Sequence, residues 1–233
     1  MAVRRTTLFD QVASEIITLI EESDLKPGDE IPPEGELAAR FGVNRLAVRE
    51  AIRALAAREI LVSSQGRRAR VNVPTARVFG QILGFRLRQQ SLRFEDVLDA
   101  RGAVEGAMAS RAAVRVGAGA ASTDAATALL EKMEEAVDDR DRFVALDLAF
   151  HHEIARTADN GILELVLESL GDVLTEHRLA SYDGRSLHGE SQQDTITAHR
   201  AILDAITAGD PEGAVAAMAA HLTETGEDLE ITP

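Results

Sequence analysis

LKPGDEIPPEGELAARFGVNRLAVREAIRALAAREIL, from Leu25 to Leu61, is the stretch on which the architecture turns. Lys26-Pro27-Gly28-Asp29 turns the chain, because proline and glycine cannot continue a helix there. Pro32-Pro33-Glu34 opens a short helix that runs through Phe41, with acids in its first turn. Gly42-Val43-Asn44 is a three-residue turn, and Asn44 is placed to cap a further helix from Arg45 to about Arg58. Upstream, Val12, Ile16, Leu19 and Ile20 recur with helical period over residues 8–22. Downstream, Ile60-Leu61-Val62 and Ala69 to Val73 read as two short strands joined by the loop Ser63 to Arg68. Helix, short helix, turn, helix and basic hairpin make a winged helix-turn-helix.

Charge supports this reading by its distribution more than by its sum. The 233 residues carry a net charge of −14. Residues 1–77 hold 12 basic and 11 acidic side chains, whereas 78–233 hold 13 basic and 28 acidic. Between 40 and 77, nine arginines meet only Glu50 and Glu59. A basic segment of this kind suits a phosphate backbone, although an uneven solvated surface is the plainer alternative.

Within the third helix, Val48, Ile52 and Leu55 form the inward stripe. Arg45, Arg49 and Arg53 recur every four residues, so they share a slowly drifting outer face. Long donors near the start of a groove helix reach base edges, and arginine offers a fork to guanine or phosphate. Arg45 and Arg49 are therefore assigned to the groove, and Arg53 to phosphate or solvent. Gly66 permits a tight wing turn, with Arg67 and Arg68 within reach of minor groove or backbone.

Residues 8–73 resemble the DNA-binding domain of the GntR family of bacterial transcription regulators. The resemblance rests on the Pro-Gly turn, the Pro-Glu helix start and Gly-Val-x-Arg-x-x-Val-Arg-Glu-Ala. It implies that Arg45, Arg49 and Gly66 contact DNA. Three positions depart from the pattern. Gly35 stands where the family often has arginine, which leaves Arg40 as the nearby candidate for part of that role. Asn44 replaces the commoner serine or threonine and keeps the capacity to cap and to hydrogen-bond. Gly66-Arg67-Arg68 replaces the usual Gly-Arg-Gly wing.

After Pro74-Thr75 the chain reads as helix after helix, with expected spans 77–90, 94–115, 123–138, 141–158, 161–181, 190–208 and 211–228. The clearest expected breaks are Gly117 to Ala120 and Ser181 to Gly184. The expected fold class is thus mostly α, with a winged helix-turn-helix over 1–74 and an all-helical bundle over 75–233. Aromatics make up only 3% of the chain while alanine is abundant. That favours helices packed through small side chains over a β-sandwich. The absence of cysteine excludes disulfides, Cys-ligated zinc and a thiol nucleophile. Apolar runs are short, and no apolar stretch follows the basic start, so a cytoplasmic protein with no membrane span is expected.

In the second region Asp147 and His151 lie four apart on a helix with Phe143, Phe150 and Ile154. His199 sits among Ile196, Leu203 and Ile206, and His221 among Val215, Met218 and Leu222. Titratable groups on apolar stripes must be paired or coordinated. They are either core histidines bonded to one another, to Asp147 or to backbone, or ligands of a divalent cation such as zinc, nickel, manganese or iron. His152, His177 and His188 show no such pattern.

Residues 77–228 resemble the FCD effector-binding domain of the FadR subfamily, through DVLDARGAVEGAMASRAA (96–113), DLAFHHEI (147–154) and AHRAILDAITAGDPEGAVAAMAAHL (198–222). The resemblance implies one metal site made by Asp147, His151, His199 and His221. A six-coordinate ion there would keep two positions for a small carboxylate. Arg101 matches the arginine of the family's Arg-x-x-x-Glu pattern and could hold an effector carboxylate or simply pair with Glu105. Arg178 is a weaker candidate. The expected function is a homodimeric regulator on a double-stranded operator, modulated by a small organic acid at the metal site. A metal-dependent enzyme acting on a small carboxylate and a regulator with a purely structural metal are the alternatives.

Overall fold

The computed structural model describes residues 7–63, 67–90, 92–187 and 191–230. The chain divides into two compact units, Met1–Val78 and Phe79–Pro233. Eleven helices and one two-stranded sheet are present among the described residues.

The first unit contains α1 (Leu8–Glu22), α2 (Glu34–Phe41), α3 (Arg45–Ala57), β1 (Leu61–Val62) and β2 (Arg70–Val71). Thr7 and Asp10 form a capping box that starts α1. Gly42 closes α2 in the left-handed region at φ 66°, where a side chain would be strained. Asn44 caps α3 by accepting from the Ala47 N–H at 2.8 Å. The inward faces of the three helices bury Val12, Ile16, Leu19, Leu37, Val48, Ala51, Ile52 and Leu55 in one core, closed below by Ile31, Leu61 and Val71.

The strands are antiparallel, with Leu61 opposite Val71 and Val62 opposite Arg70. They are shorter than the sequence suggests. The far edge of β2 is taken by the Gly28–Ile31 segment, through Gly28 N–H to Val71 O (2.8 Å) and Val71 N–H to Asp29 O (2.9 Å). Glu59, at φ 57°, then ties down the chain leaving the unit. Its carboxylate accepts from the Thr75 N–H (2.9 Å) and hydroxyl and from Arg77 Nε (2.8 Å). Those bonds, Thr75's first, lower its pKa to about 2.

The second unit is built from α4 (Arg77–Arg88), which begins at the junction, α5 (Phe94–Gly117), α6 (Asp124–Glu134), α7 (Arg140–Ala158), α8 (Gly161–Ser169), α9 (Gly171–Leu187), α10 (Gln193–Thr207) and α11 (Pro211–Glu230). Helix α5 is central and packs against α7, α10 and α11. Ala109, Ala112 and Ala113 on it are fully buried, and such small side chains let neighbouring helices approach closely. At one end Gly209 (φ 67°) lies so near Gly117 that a Cβ on it would come within 2.9 Å of the Gly117 Cα.

Two expectations are corrected here. Ser181 to Gly184 is helical, within α9. Tertiary contacts override its weak local propensity: the Tyr182 hydroxyl donates to Val137 O (2.6 Å), and Arg140 grips the Asp183 carboxylate with two 2.6 Å bonds. The break falls instead at Leu170, whose N–H turns back to Leu167 O and whose side chain is buried, so 161–181 is not one helix. No helix of the described residues is long and apolar enough to cross a membrane.

Candidate nucleic-acid interface and candidate metal centre

Arg40, Arg45, Arg49, Arg53, Arg67 and Arg68 are all exposed on the first unit, while Gly66 lies outside the described residues. Asn44 is also exposed, with its side-chain oxygen used in the cap. Arg49 rests on Glu34 of α2, with Nη2 2.9 Å from Oε2. The bond to Arg49 chiefly holds the Glu34 carboxyl below its ordinary range, with Arg45 and Arg53 adding to it. Arg53 pairs with Glu50 at 2.7 Å, and Arg68 with Glu30 at 3.5 Å. The Arg45 guanidinium lies over Gly35, where a Cβ would sit 3.1 Å from Nη2. The space opened by the glycine is thus occupied by the neighbouring arginine. Exposed ion pairs are worth about 0–1 kcal/mol, so phosphate can compete for every one of these guanidiniums. Sequence reasoning missed Leu46, which is 64% exposed in the first turn of α3. Its signal was an apolar residue off the inward stripe, a type able to meet a thymine methyl.

In the second unit Asp147 and His151 on α7, His199 on α10 and His221 on α11 converge. All four are buried, and their candidate ligand atoms lie within 4.8 Å of one another. The i,i+4 spacing brings the first two to one face of α7, and the edge of Phe150 packs against the His199 ring with centroids 4.8 Å apart.

Neighbouring groups orient the rings. His151 Nδ1 is 2.5 Å from Glu105 Oε2, and His199 Nδ1 is 2.7 Å from the Thr195 carbonyl. Each partner is an acceptor, so each of these two rings donates from Nδ1 and turns its Nε2 inward. His199 Nε2 then faces Asp147 Oδ1 at 3.1 Å and His151 Nε2 at 3.3 Å. Asp147 and the inward-facing ring nitrogens thus form a set of three imidazoles and one carboxylate, donors that suit a first-row divalent ion.

Two arginines complete the surroundings. Arg101 is buried, with Nε 2.5 Å from Glu105 Oε1. Its two terminal nitrogens have no hydrogen-bond partner among the described residues. Arg178, on α9, has Nε 2.8 Å from Asp147 Oδ2. Burial pushes Glu105 up, but Arg101 and His151 outweigh it and hold the carboxyl well below its usual range. Burial acts on Asp147 in the same way and is overcome by Arg178, His199 and His151. Burial pushes the pKa of His151 and His221 down and so favours their neutral forms.

Glu105 as the second partner of His151 was missed in the sequence, where only its spacing from Arg101 is visible. The sequence offers Arg178 only as a weaker effector candidate, and its contact with Asp147, His151 and His221 is not foreseen there. His152 is half-buried on the other side of α7, and His177 is buried on α9. His188 lies outside the described residues.

Comparison with known proteins covers nearly the whole chain. Residues 8–71 match the bacterial regulatory proteins of the gntR family, and residues 96–224 match the FCD domain. A protein of Escherichia coli (strain K12) carrying the name L-lactate dehydrogenase operon regulatory protein is 31% identical, covering 96% of this chain and 86% of its own. The HTH-type transcriptional repressor NanR of Citrobacter rodentium (strain ICC168) is also 31% identical, over 94% and 84%. Among solved structures, Streptococcus agalactiae GntR superposes with a TM-score of 0.67 at 27% identity, covering 93% of this chain and 97% of that one.

Proposed function

The chain belongs to the GntR family of bacterial regulatory proteins and carries an FCD domain, so it is a DNA-binding transcription regulator, and from that premise we propose a homodimeric repressor whose operator binding responds to a small organic acid at a divalent-metal centre. The observation that carries the sensor half is the convergence of Asp147 with three imidazoles, two of them oriented by Glu105 and the Thr195 carbonyl. Asp147, His151, His199 and His221 would hold zinc, nickel, manganese or iron. Such an ion, when bound, supplies an electrophilic centre for carboxylate oxygens. Arg101 offers the acid a guanidinium whose two terminal nitrogens are open to a bidentate carboxylate.

In the reading head, Arg45 and Arg49 would address base edges from the start of α3. Asn44, Arg40, Arg53, Gly66, Arg67 and Arg68 would hold phosphates and the wing in register. One such helix reads few base pairs, so two copies on a pseudo-palindrome supply the specificity. The acid acts by binding the DNA-competent and DNA-incompetent arrangements with different affinities.

The decisive experiment is binding to the DNA flanking the protein's own gene, measured over a range of salt concentrations. Arg45→Ala and Arg49→Ala should weaken it, and no salt-dependent binding at all would sink the reading head's role. Elemental analysis should find an ion in the wild type that is lost in Asp147→Ala and His221→Ala; an equal ion content in all three would sink the metal centre. Organic acids are then titrated against melting temperature and DNA affinity, beginning with L-lactate because the E. coli relative's name refers to an L-lactate dehydrogenase operon. A melting shift without a change in DNA affinity would sink the effector role.

A further inference from the structure

Arg178 lies on α9, a helix that contributes none of the four candidate ligands, yet its guanidinium addresses three of them. Nε is 2.8 Å from Asp147 Oδ2, and Nη2 is 2.9 Å from His221 Nε2 and 3.0 Å from His151 Nε2. Nη1 donates to Thr225 Oγ1 at 2.9 Å. One side chain therefore ties α9 to α7 and α11.

An unprotonated imidazole nitrogen has a single in-plane lone pair. It can accept a hydrogen bond from Arg178 or bind a metal ion, but it cannot do both. Zinc–nitrogen bonds are about 2.0–2.1 Å long, far shorter than the present contacts to Nη2. Charge makes the same demand. With the imidazoles counted as neutral, the two arginines at the centre, Arg101 and Arg178, balance its two carboxylates, Glu105 and Asp147, while the third buried arginine, Arg185, pairs with Asp194. A divalent ion added beside an unmoved Arg178 would leave two uncompensated positive charges in a dry interior, which is strongly unfavourable.

We propose that Arg178 and the metal ion exchange at this centre: the guanidinium is the resident cation of the ion-free protein, and an ion binds only as Arg178 withdraws. This rests on the metal-centre reading above and adds a moving part to it. Withdrawal removes this one tie of α9 to α7 and α11, while the Arg140–Asp183 pair still holds the far part of α9 to α7. It also turns a second guanidinium toward whatever anion compensates the bound ion. Helix α9 lines a cavity of about 540 Å³ together with α4, through Val173 and His177 on one side and Gly80, Gly84 and Leu87 on the other. The helix whose tie the exchange loosens thus lines this cavity together with α4.

The test uses the full-length protein and zinc alone. Zinc affinity is measured by competition with a chelating dye for the wild type, Arg178→Gln and Arg178→Lys, and melting temperature is recorded with and without the ion. Exchange predicts that Arg178→Gln binds zinc at least about tenfold more tightly, because the competing cation is gone. Its ion-free form should melt below the wild type while the zinc-loaded forms melt together, with Arg178→Lys falling between. Equal or weaker zinc binding by Arg178→Gln, with both forms destabilised alike, would make Arg178 a fixed strut and overturn the exchange. Should ion-free Arg178→Gln not fold, the comparison rests on Arg178→Lys and on the wild-type Arg178 Nε resonance in ¹⁵N spectra. That resonance must move on zinc addition, and an unmoved one overturns the exchange. A wild type that binds no zinc, nickel or manganese defeats the metal-centre reading itself, which is a different failure.

Discussion

Arg49 on α3 and Glu34 on α2 meet in the reading head, with Nη2 2.9 Å and Nε 3.3 Å from the carboxylate. The pair is half-exposed, so it is a weak lock that DNA can open. It also means that Arg49, the arginine proposed for the groove, is partly neutralised until phosphate or a base replaces Glu34. Arg49→Ala should cost about 1–3 kcal/mol of operator affinity. Glu34→Gln should do the opposite for unrelated DNA, tightening it up to about fivefold while narrowing the gap between operator and competitor. Fluorescence anisotropy on both DNAs reads this directly. Weaker binding to unrelated DNA in Glu34→Gln would show that the carboxylate organises Arg49 and does not restrain it.

Glu105 reaches His151 with one oxygen and Arg101 with the other. Glu105→Gln keeps the shape but removes the charge that orients the imidazole and steadies the guanidinium. Metal affinity should fall about 10–100-fold, the usual cost of losing such a partner. The ion should still be bound at saturating concentration, unlike in His199→Ala. Titration followed by chelator competition distinguishes the two variants, and an unchanged affinity in Glu105→Gln would remove the carboxylate from the centre.

Tyr182 holds the middle of α9 by donating its hydroxyl to the Val137 carbonyl at 2.6 Å, and its ring packs on Phe143. Tyr182→Phe keeps the ring contact and loses the bond, so unfolding should become easier by about 1 kcal/mol. Equilibrium denaturation in urea measures the change. No loss would mean that the ion pair between Arg140 and Asp183 is enough to keep this stretch helical.

That stretch marks where sequence reasoning stops. The three helices of the reading head were legible because their signals are local: Pro-Gly punctuation, an asparagine cap and apolar residues at helical spacing. The pairing of Gly28–Ile31 with β2 was not, because its ladder is made by backbone atoms and a Pro-Gly turn hides it. Ser181 to Gly184 looked like a break because serine, aspartate and glycine are poor helix formers. Tyr182 and Asp183 are fastened by Val137 and Arg140, more than forty residues away. The four clustered side chains could be found from their places on apolar stripes and from the family resemblance. The groups that orient or compete with them could not. Glu105 is spaced from Arg101 by one helical turn but reaches His151 only through the packing of α5 on α7, and Arg178 arrives from a helix with no recurring pattern.

His177, buried on α9 near Arg178 and Arg101, gives the pH prediction. Burial chiefly, and then the two arginines, push its pKa down to about 3, whereas an unfolded chain would titrate it near 6.5. Between those values the unfolded state binds the proton and the folded state does not. Stability is therefore intact above pH 6.5 and is lost as the pH falls toward 3. At pH 5 this one group should already cost about 2 kcal/mol relative to pH 7. His177→Gln should remove that part of the decline, while His151 and His221, pushed down in the same direction, keep the remainder. Urea denaturation of both proteins at pH 7, 6 and 5, with chelator present, isolates the difference. Parallel curves would mean that His177 is protonated in the folded protein, with a negative partner compensating the arginines beside it.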